Sequence, residues 1–292
     1  MRNRLKNLSQ YLPLNLSGVA AILGYVFLGL TMVLLGLYLA FPEKALQRRL
    51  EFELNRNISG AVSVKSAALS LPFGLTARDI RIRMNDRSIP QIFFDSVEMS
   101  PHISALFGNP GISFNARTGD GKISGSVKQR GPAEIDIDNY LFDEPIQQFS
   151  GLKIKGVIRS ARLETEVPTQ PDSRTRIEVV AENLNLTGLE KVGFSAAEVA
   201  LGNLELTLNG QGRKLDLERA SLSGGDIRAS LSGNLSFGRS LPATRLNLTL
   251  QVQPTTGLDQ SLRSLFDLLG SAGPDASRKL TISGSLARPN IR

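Results

Sequence analysis

LELTLNGQGRKLDL, residues 204–217, alternates leucine with polar residues on either side of a glycine-rich break. Successive side chains of a strand point to opposite faces, so Leu204, Leu206 and Leu208 share one face while Glu205 and Thr207 share the other. Asn209-Gly210-Gln211-Gly212 is a hairpin signal, and Leu215 and Leu217 carry the chain back. Strands apolar on one side only belong to an antiparallel sheet with one wet face. The pattern continues through Ile227-x-Ala229-x-Leu231, Leu235-x-Phe237 and Leu246-x-Leu248-x-Leu250-x-Val252, and a last strand runs from Lys279 to Leu286. One interruption, GLDQSLRSLFDLLG at residues 257–270, puts Leu258, Leu262, Leu265, Phe266 and Leu269 on one helical face.

Upstream the same period of two recurs in Val62-x-Val64, Leu69-x-Leu71, Ile80-x-Ile82-x-Met84, Ile112-x-Phe114, Ile135-x-Ile137 and Ile177-x-Val179. Turn residues separate these runs at Pro72–Gly74, Asn85-Asp86, Gly108–Gly111, Gly119–Gly121 and Gly131-Pro132. Residues 58–292 therefore read as one long antiparallel β-rich domain, with a candidate sub-boundary at 168–175. Residues 42–57 place Leu46, Leu50 and Leu54 at i, i+4 and i+8, a short amphipathic helix. Before it, residues 18–41 (GVAAILGYVFLGLTMVLLGLYLAF) hold no charge, and a helix of that length spans a bilayer. A cleaved signal peptide has a shorter apolar core and a small-residue cleavage site; Leu39-Ala40-Phe41-Pro42-Glu43 offers a poor one. Arg2, Arg4 and Lys6 in the tail (1–17) balance Lys44, Arg48, Arg49 and Arg56 beyond the span, so charge alone does not orient it. A short basic tail before a long domain favours a cytoplasmic N-terminus with the domain outside.

Three of the seven excess positive charges sit in that tail, leaving +4 on residues 42–292. With no Trp and no basic-aromatic cluster, the domain lacks the stacking platform of a nucleic-acid binder. Lys44, Arg48 and Arg49 read either as a solvated helix face or as contacts to lipid headgroups. The absence of cysteine rules out disulfides and thiolate chemistry. His102 is the sole histidine and has no partners for a metal or nucleophilic site. Asp136 and Asp138 share a strand face, which is ordinary solvation more often than acid–base chemistry. No phosphate loop or dinucleotide fingerprint is present. The expectation is a non-enzymatic protein with no cofactor and no small-molecule substrate. What remains is the apolar face, carried by Leu204, Leu206, Leu208, Ile227, Leu231, Leu246, Leu248, Leu250, Leu262 and Phe266. It is either the core of a sandwich or barrel, or a curved groove for an acyl chain or an apolar partner.

The order of these features resembles AsmA-like envelope proteins. Ile58-Ser-Gly60-Ala-Val62-Ser-Val64 and Leu69-Ser-Leu71-Pro72-Phe-Gly74-Leu75-Thr-Ala-Arg-Asp79-Ile80-Arg-Ile82 are similar to the group's opening. Leu222–Gly233 and Leu280–Pro289 are similar to its later strands. Within the group, Pro110–Phe114 through Gly121–Gly125 is most similar to the family of type II secretion system N proteins. The resemblance implies an inner-membrane protein of a Gram-negative bacterium with its domain in the periplasm. It implies an accessory role in protein export with other secretion components as partners, or a curved apolar groove holding phospholipid. It brings no catalytic residues.

Overall fold

The computed structural model describes residues 24–29, 31–33, 36, 38, 42–58, 60–70, 74–85, 91–102, 108–146, 151–238, 243–268 and 277–292. Most of the predicted span, and Leu269, lie outside the described residues. Positions 24–29, 31–33, 36 and 38 are helical. Among the described residues no helix is long and apolar enough to cross a membrane.

Helix α1 (Glu43–Asn57) begins where the apolar run ends. Pro42 has φ −78° and ψ 89°, outside the helical region, and its carbonyl accepts hydrogen bonds from the amides of Ala45 and Leu46. Pro42 is thus itself outside the helix that starts after it. Fourteen strands follow: β1 (Gly60–Ser70), β2 (Gly74–Met84), β3 (Ile92–Pro101), β4 (Gly111–Thr118), β5 (Gly121–Lys128), β6 (Gly131–Pro145), β7 (Lys153–Val167), β8 (Arg174–Thr187), β9 (Glu198–Gln211), β10 (Lys214–Gly224), β11 (Ile227–Ser236), β12 (Arg245–Pro254), β13 (Arg278–Ser285) and β14 (Arg288–Ile291). A 3₁₀ turn (Leu189–Val192) precedes β9, and α2 (Gln260–Leu268) precedes β13.

All fourteen strands form one antiparallel sheet in sequence order, an open meander rather than a sandwich or a closed barrel. β7 and β8, on either side of residues 168–173, pair along their length. The 209–212 break is a hairpin whose two turn residues are Gly212 and Arg213, because Gln211 pairs with Lys214. Gly212 takes φ +57° there, which glycine adopts without steric cost. The last segment is two strands and not the single one expected: Arg288–Ile291 folds back on β13. Its Arg-Pro-Asn-Ile carries no alternation, so no strand signal marks it.

The alternation is reset inside three long strands. Asp79, Asn139 and Asn183 have φ near +50°, a region that Asx residues tolerate better than other side chains. At each, the residues facing the apolar side step by three instead of two: Ala77 to Ile80, Ile137 to Tyr140, and Ala181 to Leu184. Polar partners sit at all three points, the Asn183 amide donating to Asn203 Oδ1 at 3.4 Å. Lys65 pairs with Asp79 at 3.1 Å, and Arg159 donates to Asn139 Oδ1 at 2.8 Å while pairing with Glu182.

Two clusters of buried side chains form, one at the first edge of the sheet and one at the ends of its middle strands. Val62, Val64, Ala67, Ala77 and Ile80 pack beneath Leu46, Leu50 and Leu54 of α1. Leu152, Leu189, Val199, Leu258 and Leu262 gather around the 3₁₀ turn and α2.

Candidate functional site: an apolar row across the sheet

Cross-strand partners point to the same face, so the pairing register decides which apolar residues meet. Followed strand by strand, Leu69, Leu75, Met99, Phe114, Gly125, Ile135, Leu163, Ile177, Leu208, Leu217, Gly233, Leu248, Ile282 and Ile291 form one unbroken row. It takes one residue from every strand, and none of the fourteen is polar. At a strand spacing of about 4.8 Å it runs for roughly 60 Å. The neighbouring row on one side holds Val97, Ala116, Ile123, Ile137, Ala161, Val179 and Leu206.

The predicted strand residues all fall on this face. Leu204, Leu206 and Leu208 pair with Leu222, Ala220 and Leu217. Leu231 pairs with Leu250, and Leu246 with Leu235. Leu208, Leu246 and Leu248 are buried, whereas Leu204, Leu206, Leu231 and Leu250 are half-buried. Ile227 packs at the edge of the cluster under α2, where Leu262 is 6% exposed. Phe266 lies within α2, but its side chain is outside the described residues.

Away from the two buried clusters the face is less covered. Phe114, Ile123, Ile135, Ile137, Leu163 and Ile177 are half-buried and belong to neither cluster. At the rim of β4 and β5 the paired Ile112 and Val127 are 55% and 39% exposed. Gly125 holds Phe114 in place: a Cβ there would stand 2.8 Å from the ring and 2.5 Å from the Glu134 carbonyl oxygen. These central residues are as regular in sequence as the C-terminal leucines. Only the register of each successive strand pair reveals that they continue the same row. One phenol shares the face, Tyr140, whose pKa is raised by burial and then by the charge of Glu144.

The opposite face is wet and charged. Asp136 accepts a hydrogen bond from Arg162 at 2.7 Å, and that bond and charge raise the Arg162 pKa. Asp136 and Asp138 line one shallow hollow with Arg162, Glu178 and Arg219. A second hollow of about 840 Å³ is lined by Glu134, Glu164, Arg176 and Glu218. Among the described residues no group of three His, Asp or Glu is placed to hold a metal ion. His102 closes β3, its amide donating to the Gly111 carbonyl at 2.8 Å. Lys44, Arg48 and Arg49 are exposed on α1, far in sequence from the leucines of β9 to β12.

Charge is segregated along the strand order. Residues 42–130 carry 13 Lys/Arg against 8 Asp/Glu, residues 131–222 carry 10 against 15, and residues 223–292 carry 8 against 4. Because strand order follows sequence, an acidic middle lies between two basic ends.

Comparison with family models, curated proteins and solved structures finds no match.

Proposed function

We propose that this chain is a non-enzymatic accessory component of the type II secretion machinery, anchored in the inner membrane with its AsmA-like sheet in the periplasm. The observation that carries the reading is the single fourteen-strand meander following an apolar helical stretch. It agrees with the order of parts that the resemblance implies. The β4–β5 hairpin, where the likeness to the secretion family is greatest, presents the exposed pair Ile112 and Val127, a small apolar contact of the kind protein partners cover. Residues 18–41 form the anchor in this reading, and residues 1–17 lie in the cytoplasm.

A second reading is favoured by the apolar row itself. An open, curved sheet with a half-covered apolar side about 60 Å long suits acyl chains, making the protein a lipid-binding module of the envelope. The bends expected at bulged positions would supply the curvature.

Purification of the full chain from detergent-solubilised membranes separates the two. The first reading expects secretion proteins in stoichiometric amounts; the second expects phospholipid retained through washing. Recovery of the intact chain with lipid and no protein partner would overturn the first.

A further inference from the structure

Helix α1 uses its inner surfaces twice. Leu46, Leu50 and Leu54 pack onto the apolar face of β1 and β2. One residue further along each turn, Gln47, Glu51 and Asn55 bind the outer edge of β1. Gln47 Nε2 donates to the Val64 carbonyl at 2.6 Å, and the Val64 amide donates to Glu51 Oε1 at 2.7 Å. Asn55 Nδ2 donates to the Val62 carbonyl at 3.0 Å, and the Val62 amide donates back to Asn55 Oδ1 at 2.7 Å. The helix therefore grips the sheet rigidly along its first edge, and only its outer surface is available to anything else.

That outer surface is basic with an aromatic centre. At about 100° per residue, Lys44, Ala45, Arg48, Arg49, Phe52 and Arg56 share an arc of roughly 140° that contains no acidic residue. Phe52, near the middle of the arc, is 58% exposed. The guanidinium of Arg49 stands 5.8 Å from the ring and also pairs with Glu53 at its margin. Farther upstream, among the described residues of the apolar stretch, Tyr25, Val26, Phe27, Met32 and Val33 are exposed.

We propose that α1 lies flat on an anionic bilayer surface, with Phe52 inserted at headgroup depth and Lys44, Arg48, Arg49 and Arg56 against lipid phosphates. This rests on the reading of residues 18–41 as the membrane anchor. Charge complementarity selects the occupant, since a cationic arc around one aromatic side chain matches an anionic lipid surface. Tethering by the anchor makes even a weak surface affinity sufficient, because docking becomes intramolecular. Pro42, outside the helical region, lets α1 leave the direction of the span. The consequence is a fixed attitude for the sheet: the edge at β1 is held at the membrane and β14 is the strand farthest from it in pairing order.

The absence of cysteine makes the test clean. Single cysteines at Ala45, Phe52, Val26 and Ser232 in the full chain are nitroxide-labelled and reconstituted in phosphatidylcholine vesicles with and without phosphatidylglycerol. Oxygen, which concentrates in the bilayer, and a water-soluble nickel chelate report the depth of each label. In phosphatidylglycerol vesicles the label of Phe52→Cys should be reached by oxygen and shielded from nickel, while that of Ser232→Cys remains in water. Replacing Lys44, Arg48, Arg49 and Arg56 with Gln should return the label at 52 to water, surface partitioning falling about fivefold per cation removed. A label at 52 in water while the label at 26 is in lipid overturns the docking and leaves the anchor standing. A label at 26 in water removes the anchor and the docking with it.

Discussion

Gly125 is a residue whose missing side chain matters more than most of those present. The Phe114 ring lies across it, and the Glu134 carbonyl is closer still to where a Cβ would be. Backbone cannot retreat as a side-chain tip can, so Gly125→Val should push Phe114 out of the apolar row and lower stability by about 1–3 kcal/mol. Chemical denaturation of the purified chain measures this, and an unchanged midpoint would refute the packing. Asp259 offers a pH test of a different kind. It caps α2, accepting bonds from the Ser261 amide and hydroxyl, and these, with a bond from Ser195, hold its carboxyl below the usual range. A carboxyl whose folded pKa is lowered stabilises the protein above its ordinary pKa near ~3.9, and that contribution is lost as pH falls through the lowered value. Wild type and Asp259→Asn should therefore differ in melting temperature at neutral pH and converge as the pH is taken below about 4.

The two edges of an open sheet invite unwanted pairing, and this molecule blunts both by different means. At β1, α1 supplies side-chain partners for Val62 and Val64. At β14, Thr281 and Arg292 exchange amide bonds, so by antiparallel alternation Pro289 and Ile291 carry the outward groups, and Pro289 has no N–H to offer. Asn55→Ala removes two of the bonds at β1 and should cost about 1–3 kcal/mol. It should also increase self-association, read by sedimentation velocity in detergent; a monomer as stable as wild type would show that the edge needs no seal. Leu262 belongs to α2 as an ordinary core residue, packed beside Leu152, Leu189 and Leu258, and Leu262→Ala should cost about 2–5 kcal/mol. The elements themselves were legible: α1, the hairpin after Leu208 and the leucine strands of the C-terminal third all follow from period and turn chemistry. The edge seal was not. Gln47, Glu51 and Asn55 recur every fourth residue just as the leucines do, yet a polar stripe is indistinguishable in sequence from a solvated face. The resets at Asp79, Asn139 and Asn183 were equally hidden, because a single Asx residue inside a strand gives no sign that it takes a positive φ.

Across the whole molecule the question is what an apolar row spanning every strand does when none of its residues belongs to either helix-covered cluster. The sequence places apolar residues at alternate positions but cannot say that Phe114, Ile135, Leu163 and Ile177 stand in line with Leu208 and Leu248; that follows from the thirteen registers between successive strands taken together. The gradient in exposure then gives the row two regimes. Leu248 is 8% exposed and built into the fold, so Leu248→Ala should lower stability by about 2–5 kcal/mol. Leu163 is half-buried in the uncovered centre and has less burial to lose, so Leu163→Gln should cost about 1 kcal/mol. If acyl chains occupy the centre, Leu163→Gln should deplete the phospholipid bound to the detergent-solubilised chain, measured by mass spectrometry, at a nearly unchanged melting temperature. Leu248→Ala should do the reverse, melting earlier while its folded fraction keeps its lipid. Equal lipid loss in both variants would mean that the lipid reports only on unfolding. A wild-type chain that carries no lipid would remove the groove reading and leave the exposed pair Ile112 and Val127 as the surface through which an apolar protein partner must be sought.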